Sequence, residues 1–452
     1  MLTETPSGEL TQTSLFGTDL LLQLDPSDPL LLLGQAIPWA VFDQAFGAYY
    51  SSNTGRPSIP IRTMVGLLIL KQLENLSDEN VVVQYKRNPY YQAFCGQTIF
   101  QRTLACHATE LVHFRKRIGP AGVEKIFHMS VSLHPKGAEE PIVNIDSTVQ
   151  EKNITYPTDG KLAIKIINRL NKLAKGQGIP QRRTFVKEVK ALRLDLRFFR
   201  HVKKRRKATR AVKRLRTIIG ILMRELRRTL PAEVMANHEE DFALYQRVRQ
   251  QKRTDKNKIY SLHEPQVVCI AKGKDHKPYE YGAKASIVST SKGGIILAAV
   301  SHAENIYDGH TLEEVVAKAH EVRDTLITLG VCDRDYRGVN RIGETEIVLP
   351  RAPLKRDNRY QREKKRALCR RRAAIEPLIG HLKSDFRLAT NFLKGSIGDE
   401  INLLMAACAW NLRKWMLAVF FWRKILGLLR IHTHLTIQTV HIRGVYIGFS
   451  NR

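Results

Sequence analysis

Three carboxylates stand out by their placement: Asp146 in "VNIDSTV", Asp333 in "GVCDRDY" and Glu376 in "AAIEPLIGHLKSDFR". Asp146 follows Ile142, Val143 and Ile145, a β-rich run after a proline that reads as a strand with an acid near its end. Asp333 closes a second apolar run, "LITLGVC", and Glu376 sits in a stretch of helical periodicity. Taken singly, an aspartate at a strand end is a turn or cap residue, and a glutamate in a basic helix is a charge partner. In the order strand-Asp, strand-Asp, helix-Glu they suit two-metal phosphoryl transfer. Adjacent strands bring their ends together, and a packed helix carries the longer acid over them. Such hard oxygen ligands suit Mg²⁺, with Mn²⁺ as the alternative, and two ions about 4 Å apart activate the attacking oxygen and stabilise the leaving one. No Gly-rich phosphate loop, HExxH or GxSxG accompanies them.

On one continuous helix of about 100° per residue, Arg372, Lys383 and Arg387 would lie within about 40° of Glu376. Ile375, Ile379, Leu382 and Phe386 would form an apolar stripe to one side. The three cations are thus candidate DNA-phosphate contacts beside the acid. Pro377 disfavours helical geometry at Glu376, so a kink there would move Arg372 out of register.

The elements that must position these residues are a mixed α/β set. Residues 136–435 read as a catalytic domain: a strand at Asp146, a hairpin of "YGAKASIVST" and "GIILAAVSHAE" joined at "SKGG", a helix begun by Thr311, strands at "LITLGVC" and "TEIVLP", then helices from about 362 to 430. Residues 1–135 read as helical. "IRTMVGLLILKQLENL" is a buried helix after Pro60, Ser77 caps "DENVVVQYKRN", and "ELVHFRKRIG" is closed by Gly119-Pro120. "WMLAVFFW" is too short to span a bilayer and reads as a buried helix, and residues 436–452 read as a loosely attached tail.

Charge separates one segment from the rest. The 452 residues carry 73 Lys+Arg against 43 Asp+Glu, a net +30. Within residues 161–260 there are 30 Lys+Arg and 8 Asp+Glu. A basic helical insertion at about 165–260 is expected, with Val212, Leu215, Ile219, Leu222 and Leu226 as its buried stripe and a cationic remainder that attracts nucleic acid. The six cysteines have no metal-ligand or disulfide spacing, and the N-terminus shows no secretory pattern, so a reducing cytoplasm is expected.

The chain resembles bacterial insertion-sequence transposases of the DDE class, in the insertion-sequence-five family within the insertion-sequence-four-like group. The stretches that carry the resemblance are "MVGLLILKQLENLSDENVVVQYKRNPYYQAFCG", "LVHFRKRIG", "VNIDSTVQEKNITYPTDGKL", "YDGHTLEE", "CDRDYRG" and "RRRAAIEPLIGHLKSDFRLATNFLKG". The resemblance implies a ribonuclease-H-like catalytic core, with Asp146, Asp333 and Glu376 as metal ligands and catalytic acids, and Arg372 and Lys383 as the cations of the signature around the glutamate. Two departures are visible: Asp335 replaces a glycine after the second aspartate, and Cys369 replaces a tyrosine before Arg372. His310 and Asp308, in "YDGHTLEE", belong to a family-like stretch without a role that the sequence fixes.

The implied activity is binding of the element's terminal inverted repeats, metal-dependent cleavage at its ends and strand transfer into target DNA. The implied partners are double-stranded DNA, both element ends and target, and a second copy of the chain in a synaptic complex. No membrane is implied, and the expected location is the bacterial cytoplasm, at the nucleoid. A decayed DNA-binding copy, a structural RNA-associated protein and a ribonuclease-H-like nuclease are the alternatives.

Overall fold

A computed structural model describes residues 2–3, 19–51, 54–252, 254–271, 277–350 and 356–447, with side chains as far as residue 421. The N-terminal region is helical: α1 (Leu20–Gln23), α2 (Pro29–Ala36), α3 (Trp39–Gly47), α4 (Ile61–Leu73), α5 (Asp78–Arg87), α6 (Pro89–Phe94) and α7 (Ala108–Ser132). Every residue of α4 except Arg62 is buried, as expected of a helix that is apolar nearly all round. Ser77 Oγ accepts the Asn80 N–H and so caps α5. At Gly119, φ is 60° and ψ is −170°, a conformation that suits glycine, and Pro120 opens the second half of α7. The expected helix end is therefore a kink within one longer element.

The chain then enters an eight-stranded mixed sheet. Its strands are β1 (Ile142–Lys152), β2 (Val268–Ala271), β3 (Tyr279–Thr290), β4 (Ile296–His302), β5 (Leu329–Val331), β6 (Arg341–Ile342), β7 (Thr345–Val348) and β8 (Thr390–Asn391). The order is β2-β3-β1-β5-β7-β6, with β4 also on β3 and β8 on β1. β1 is antiparallel to β3 along most of its length, and β5 and β7 run parallel to it. The backbones of β1 and β3 meet tightly at Gly282, where a Cβ would lie 1.9 Å from the Gln150 carbonyl oxygen. β1 is longer than its sequence pattern suggests, and Asp146 lies within it instead of at its end.

Between β1 and β2 stand α8 (Asp159–Gly176), α9 (Val186–Asp195), α10 (Arg205–Thr229), α11 (Ala232–Asn237) and α12 (Glu239–Gln250). These helices bury their own core, which includes Leu215, Ile219, Leu222 and Leu226 of the expected α10 stripe. The remaining helices are α13 (Leu312–His320), α14 (Arg359–Arg372), α15 (Ile375–Ser384) and α16 (Gly395–Ile447). The N-terminal helices, the sheet and α16 share one continuous core, in which Phe46, Leu67, Phe114, Ile145, Ile287, Leu382 and Leu404 are all buried.

α16 corrects one expectation. Its first half is core, but Leu417, Phe420 and Phe421 of "WMLAVFFW" are exposed. Leu412 is its last fully buried residue; Trp415 and Met416, past the cationic Arg413-Lys414 pair, still pack half-buried against the core, and the helix leaves it from Leu417 on. Gly395–Phe421 is long and apolar enough to cross a membrane by length and composition, yet half of that window is packed inside the protein, as in a core helix. The helix continues to Ile447, past the expected tail boundary at 436, and residues 448–452 lie outside the described residues.

Candidate active site

The register of the sheet sets the first two acids level with each other. β1 and β5 pair Ile142 with Leu329, Val143 with Gly330 and Asn144 with Val331. Carrying that offset two residues on brings position 333 beside position 146. β5 has ended there, and Asp333 turns the chain, its Oδ1 accepting the Asp335 N–H at 2.9 Å. Asp146 Oδ1 accepts the Ser147 N–H at 2.8 Å.

The third acid arrives on α15, and Pro377 explains how. A proline inside a helix cannot donate to the carbonyl four residues back, and its ring clashes with that carbonyl, here Ala373. The chain is interrupted at Ala373 and Ala374, between α14 and α15, with the bonds Ala373 N–H to Arg370, Ala374 N–H to Arg371 and Glu376 N–H to Ala373 each spanning three residues. This tight passage keeps Arg372 beside Glu376 even though the helix is broken. Arg372 Nη2 lies 2.9 Å from Asp146 Oδ2 and 3.5 Å from Asp333 Oδ2, and Nη1 lies 3.6 Å from Glu376 Oε1. One guanidinium thus bridges all three acids. Asp146 is mostly buried, whereas the Glu376 side chain is 65% exposed at the mouth.

The other two expected cations separate. Lys383 stays on α15, seven residues from Glu376, with its Nζ 3.9 Å from Glu280 Oε1. Arg387 does not share the glutamate's face. α15 ends at Ser384, and Arg387 has φ of 62° and donates from Nη1 to the Asn75 carbonyl in the N-terminal region. The continuous-helix projection fails there because the helix stops three residues earlier.

Burial is the largest influence on Asp146 and raises its carboxyl to about 6, with Arg372 pulling the other way. Asp333 is raised by burial too, against the Asp335 N–H and Arg372. Both acids lack full solvation of their negative charge, the condition a bound cation relieves.

Buried polar atoms without hydrogen-bond partners among the described residues gather here: Asn144 Oδ1, Asp308 Oδ1, Tyr336 Oη and Arg372 Nε. Asn144 points to the same face of β1 as Asp146, two residues on. Asp308 is 2.8 Å from the buried Lys284, whose Nζ also donates to the Ile306 carbonyl. The Asp308 oxygen makes that ion pair without hydrogen-bond alignment. Tyr307 Oη ties the same segment to the Arg337 carbonyl. The signal was the acid in "YDGHT", but its lysine partner lies 24 positions away in the chain and could not be paired by pattern. Carboxylates with unsatisfied acceptor oxygens behind them fit a hydrated divalent ion, whose retained waters can donate to those oxygens.

The departures from the family pattern do not disturb this geometry. The Asp335 side chain is exposed; its backbone N–H supports Asp333, as any non-proline residue's would, while the negative charge of its carboxylate adds to burial in pushing the Asp333 carboxyl up. Cys369 is half-buried on α14, and all six cysteines are free thiols. His310 is exposed, its ring edge-on to Tyr307 at 5.5 Å. Glu124, His128 and Glu321 form a separate group of ligand-type atoms, but Lys318 Nζ lies 2.9 Å from Glu124 and 3.1 Å from Glu321 and already neutralises them.

Two families match the chain: "Transposase domain (DUF772)" over residues 19–117 and "Transposase DDE domain" over residues 246–412. A similar protein is the uncharacterized protein ORF8 in the nfe locus of Rhizobium meliloti. It is 39% identical over 187 residues, which cover 40% of this chain and 89% of that protein. No solved structure matches. The chain belongs to the DDE transposases, a family that uses divalent metal. Asp146 falls between the two matched segments, so its place in the site rests on the sheet register and on Arg372.

Proposed function

We propose that the protein is an insertion-sequence transposase of the insertion-sequence-five family. It binds the terminal inverted repeats of its own element, cuts at the element's ends and joins the freed 3′-hydroxyls to target DNA. The observation that carries this reading is the convergence of Asp146, Asp333 and Glu376 on one guanidinium. The sheet order, with β3 and β4 antiparallel on one side of β1 and β5 and β7 parallel on the other, supports a ribonuclease-H-like core.

Asp146, Asp333 and Glu376 would hold two Mg²⁺ ions, or Mn²⁺. Bound there, such ions supply charge neutralisation at the scissile phosphate and Lewis-acid activation of the attacking oxygen. The protein's own task is placement. Asp146 is fixed by the pairing of β1 with β3, opposite Ile287, just past the β1–β5 pairing, Asp333 by its turn, and Glu376 by α15. Lys383, and Arg372 once freed from the acids, supply cations for substrate phosphates. In the first step a water oxygen forms a bond to phosphorus and the bond to the 3′-oxygen breaks, leaving a 3′-hydroxyl and a 5′-phosphate. In the second, that 3′-hydroxyl bonds to a target phosphorus and displaces the target's own 3′-oxygen. No covalent enzyme intermediate is required, and positioning with charge neutralisation supplies the rate enhancement.

DNA is gripped by the insertion. On α10, Arg206, Arg210, Lys213 and Arg224 project within about 60° of one another, directly opposite buried Leu215, Ile219, Leu222 and Leu226. All four are exposed and have no ion pair among the described residues, unlike Arg214 and Arg216, which pair with Glu188 and Asp159. From position 206 to 224 the row runs about 27 Å, long enough to follow several phosphates. α14, with seven exposed Lys or Arg and no buried residue, leads a second basic strip into the site.

The test is cleavage of linear DNA carrying the element's end, with Mg²⁺ or Mn²⁺. Wild-type protein should release 3′-hydroxyl ends at the element border, and Glu376→Gln should release none. Equal products from the two proteins would remove the assignment.

A further inference from the structure

We propose that Arg372 is a resident cation that closes the acid site until DNA draws it out, so that DNA binding and metal binding reinforce each other. The proposal rests on the reading that the three acids are the metal ligands. Its guanidinium lies 2.9 Å from Asp146, 3.5 Å from Asp333 and 3.6 Å from Glu376, among the carboxylates that would hold the metal.

The side chain is only 13% exposed, the most enclosed of the α14 cations, yet its Nε has no hydrogen-bond partner among the described residues. The inward position is therefore held by the acids alone. Arg372 is also the last residue of α14, a helix without a single buried residue, and the Ala373-Ala374 passage follows it. Outward of the site the side chain meets a surface that already carries Arg370 and Arg371 in the same turn. A DNA backbone on that surface offers phosphate oxygens in fork geometry and competes with the carboxylates for the guanidinium. With Arg372 on phosphate, the negative charge of the acids is no longer offset, the space among them opens, and metal enters. Without DNA the site stays neutralised, which limits cutting away from the element ends. The coupling is reciprocal, so metal must also tighten DNA binding.

The experiment measures Mn²⁺ binding to the full-length protein, from the electron paramagnetic resonance signal of the free ion, with and without a DNA duplex. R372Q should bind the first Mn²⁺ about tenfold or more tightly than wild type, the factor expected when a unit positive charge some 4 Å from a divalent ion is removed. R372M should behave as R372Q, and R372K, which keeps the charge, should stay close to wild type. Adding duplex should tighten Mn²⁺ binding by wild type and leave R372Q unchanged. Circular dichroism verifies the fold of each variant, and R372M stands in if R372Q does not fold. Equal or weaker Mn²⁺ binding by the folded variants, with Asp146→Asn abolishing it, overturns the proposal and leaves the metal-ligand reading intact. Mn²⁺ binding untouched by Asp146→Asn removes both.

Discussion

Asp146 and Arg372 illustrate how burial and charge set the behaviour of single groups in this protein. Burial makes the Asp146 anion costly, and one arginine shared among three acids offsets that cost in part. The same strand depends on Gly282, since any side chain there would collide with the Gln150 carbonyl. Gly282→Ala should therefore destabilise the fold by roughly 2 to 3 kcal/mol, read as a lower denaturant midpoint, whereas Ala substitution at the open Gly380 should cost nothing. Legibility at this scale was uneven. The acids were visible because each ends an apolar run or follows a basic one. The Lys284–Asp308 pair was not, because an ion pair between a strand and a distant loop leaves no periodic trace.

At the scale of elements, the N-terminal helices brace the end of the α15 segment. Gln72 donates to the Phe386 carbonyl, Asn75 to the Ser384 carbonyl, and Arg387 returns a bond to the Asn75 carbonyl. That corner is held by Asp78, which takes both guanidinium nitrogens of Arg115 at 2.9 and 2.6 Å and lies 2.9 Å from Lys71. Although burial opposes it, the hydrogen bond from Arg115 and the charge of Lys71 bring the Asp78 carboxyl down to about 2. Lys71 shifts against its pairing: burial and Arg115 pull it down to about 8, so the bidentate arginine is the stronger partner. A carboxyl lowered on folding adds stability above its unfolded value near 4 and loses it as the pH falls toward 2. Asp78→Asn should cost roughly 3 to 5 kcal/mol at pH 7, the penalty for leaving buried charges unpaired. The difference from wild type should shrink between pH 4 and 2 in denaturant titrations. α10 carries a separate prediction. Replacing Arg206, Arg210, Lys213 and Arg224 by Ala should weaken DNA binding and lower the salt slope by about one unit for each phosphate that is no longer neutralised. Stability should be unchanged because none of the four is buried.

For the whole molecule, the sequence conveyed the class of fold and much of the element order. The hairpin, the capped α5, the basic insertion and the buried α4 follow from local pattern, and the structure has each. The sheet order and the β1–β5 register needed the third dimension, since parallel neighbours are separated by nearly two hundred residues. The helix projection around Glu376 failed at Arg387 because periodicity does not show where a helix stops. The structure also joins the N-terminal helices and the sheet into one core, while the insertion keeps its own. Deleting the insertion between α8 and α12 should then leave the main core folded and abolish tight DNA binding. Circular dichroism and a binding titration at fixed salt would read those two effects. If two ends are held together, sedimentation of the protein with end DNA should give a species with two protein copies and two duplexes.

If the protein joins DNA as proposed, Asp146, Asp333 and Glu376 act as one centre. Single-turnover strand transfer from a precut end with a free 3′-hydroxyl into plasmid, in Mn²⁺, tests this without the complication of cleavage order. Asp146→Asn, Asp333→Asn and Glu376→Gln should each reduce joining by about a thousandfold or more while binding end DNA as wild type does. Joining by Asp146→Asn at the wild-type rate would contradict a three-acid centre, because the one acid outside both family-matched segments would then have no part in the chemistry.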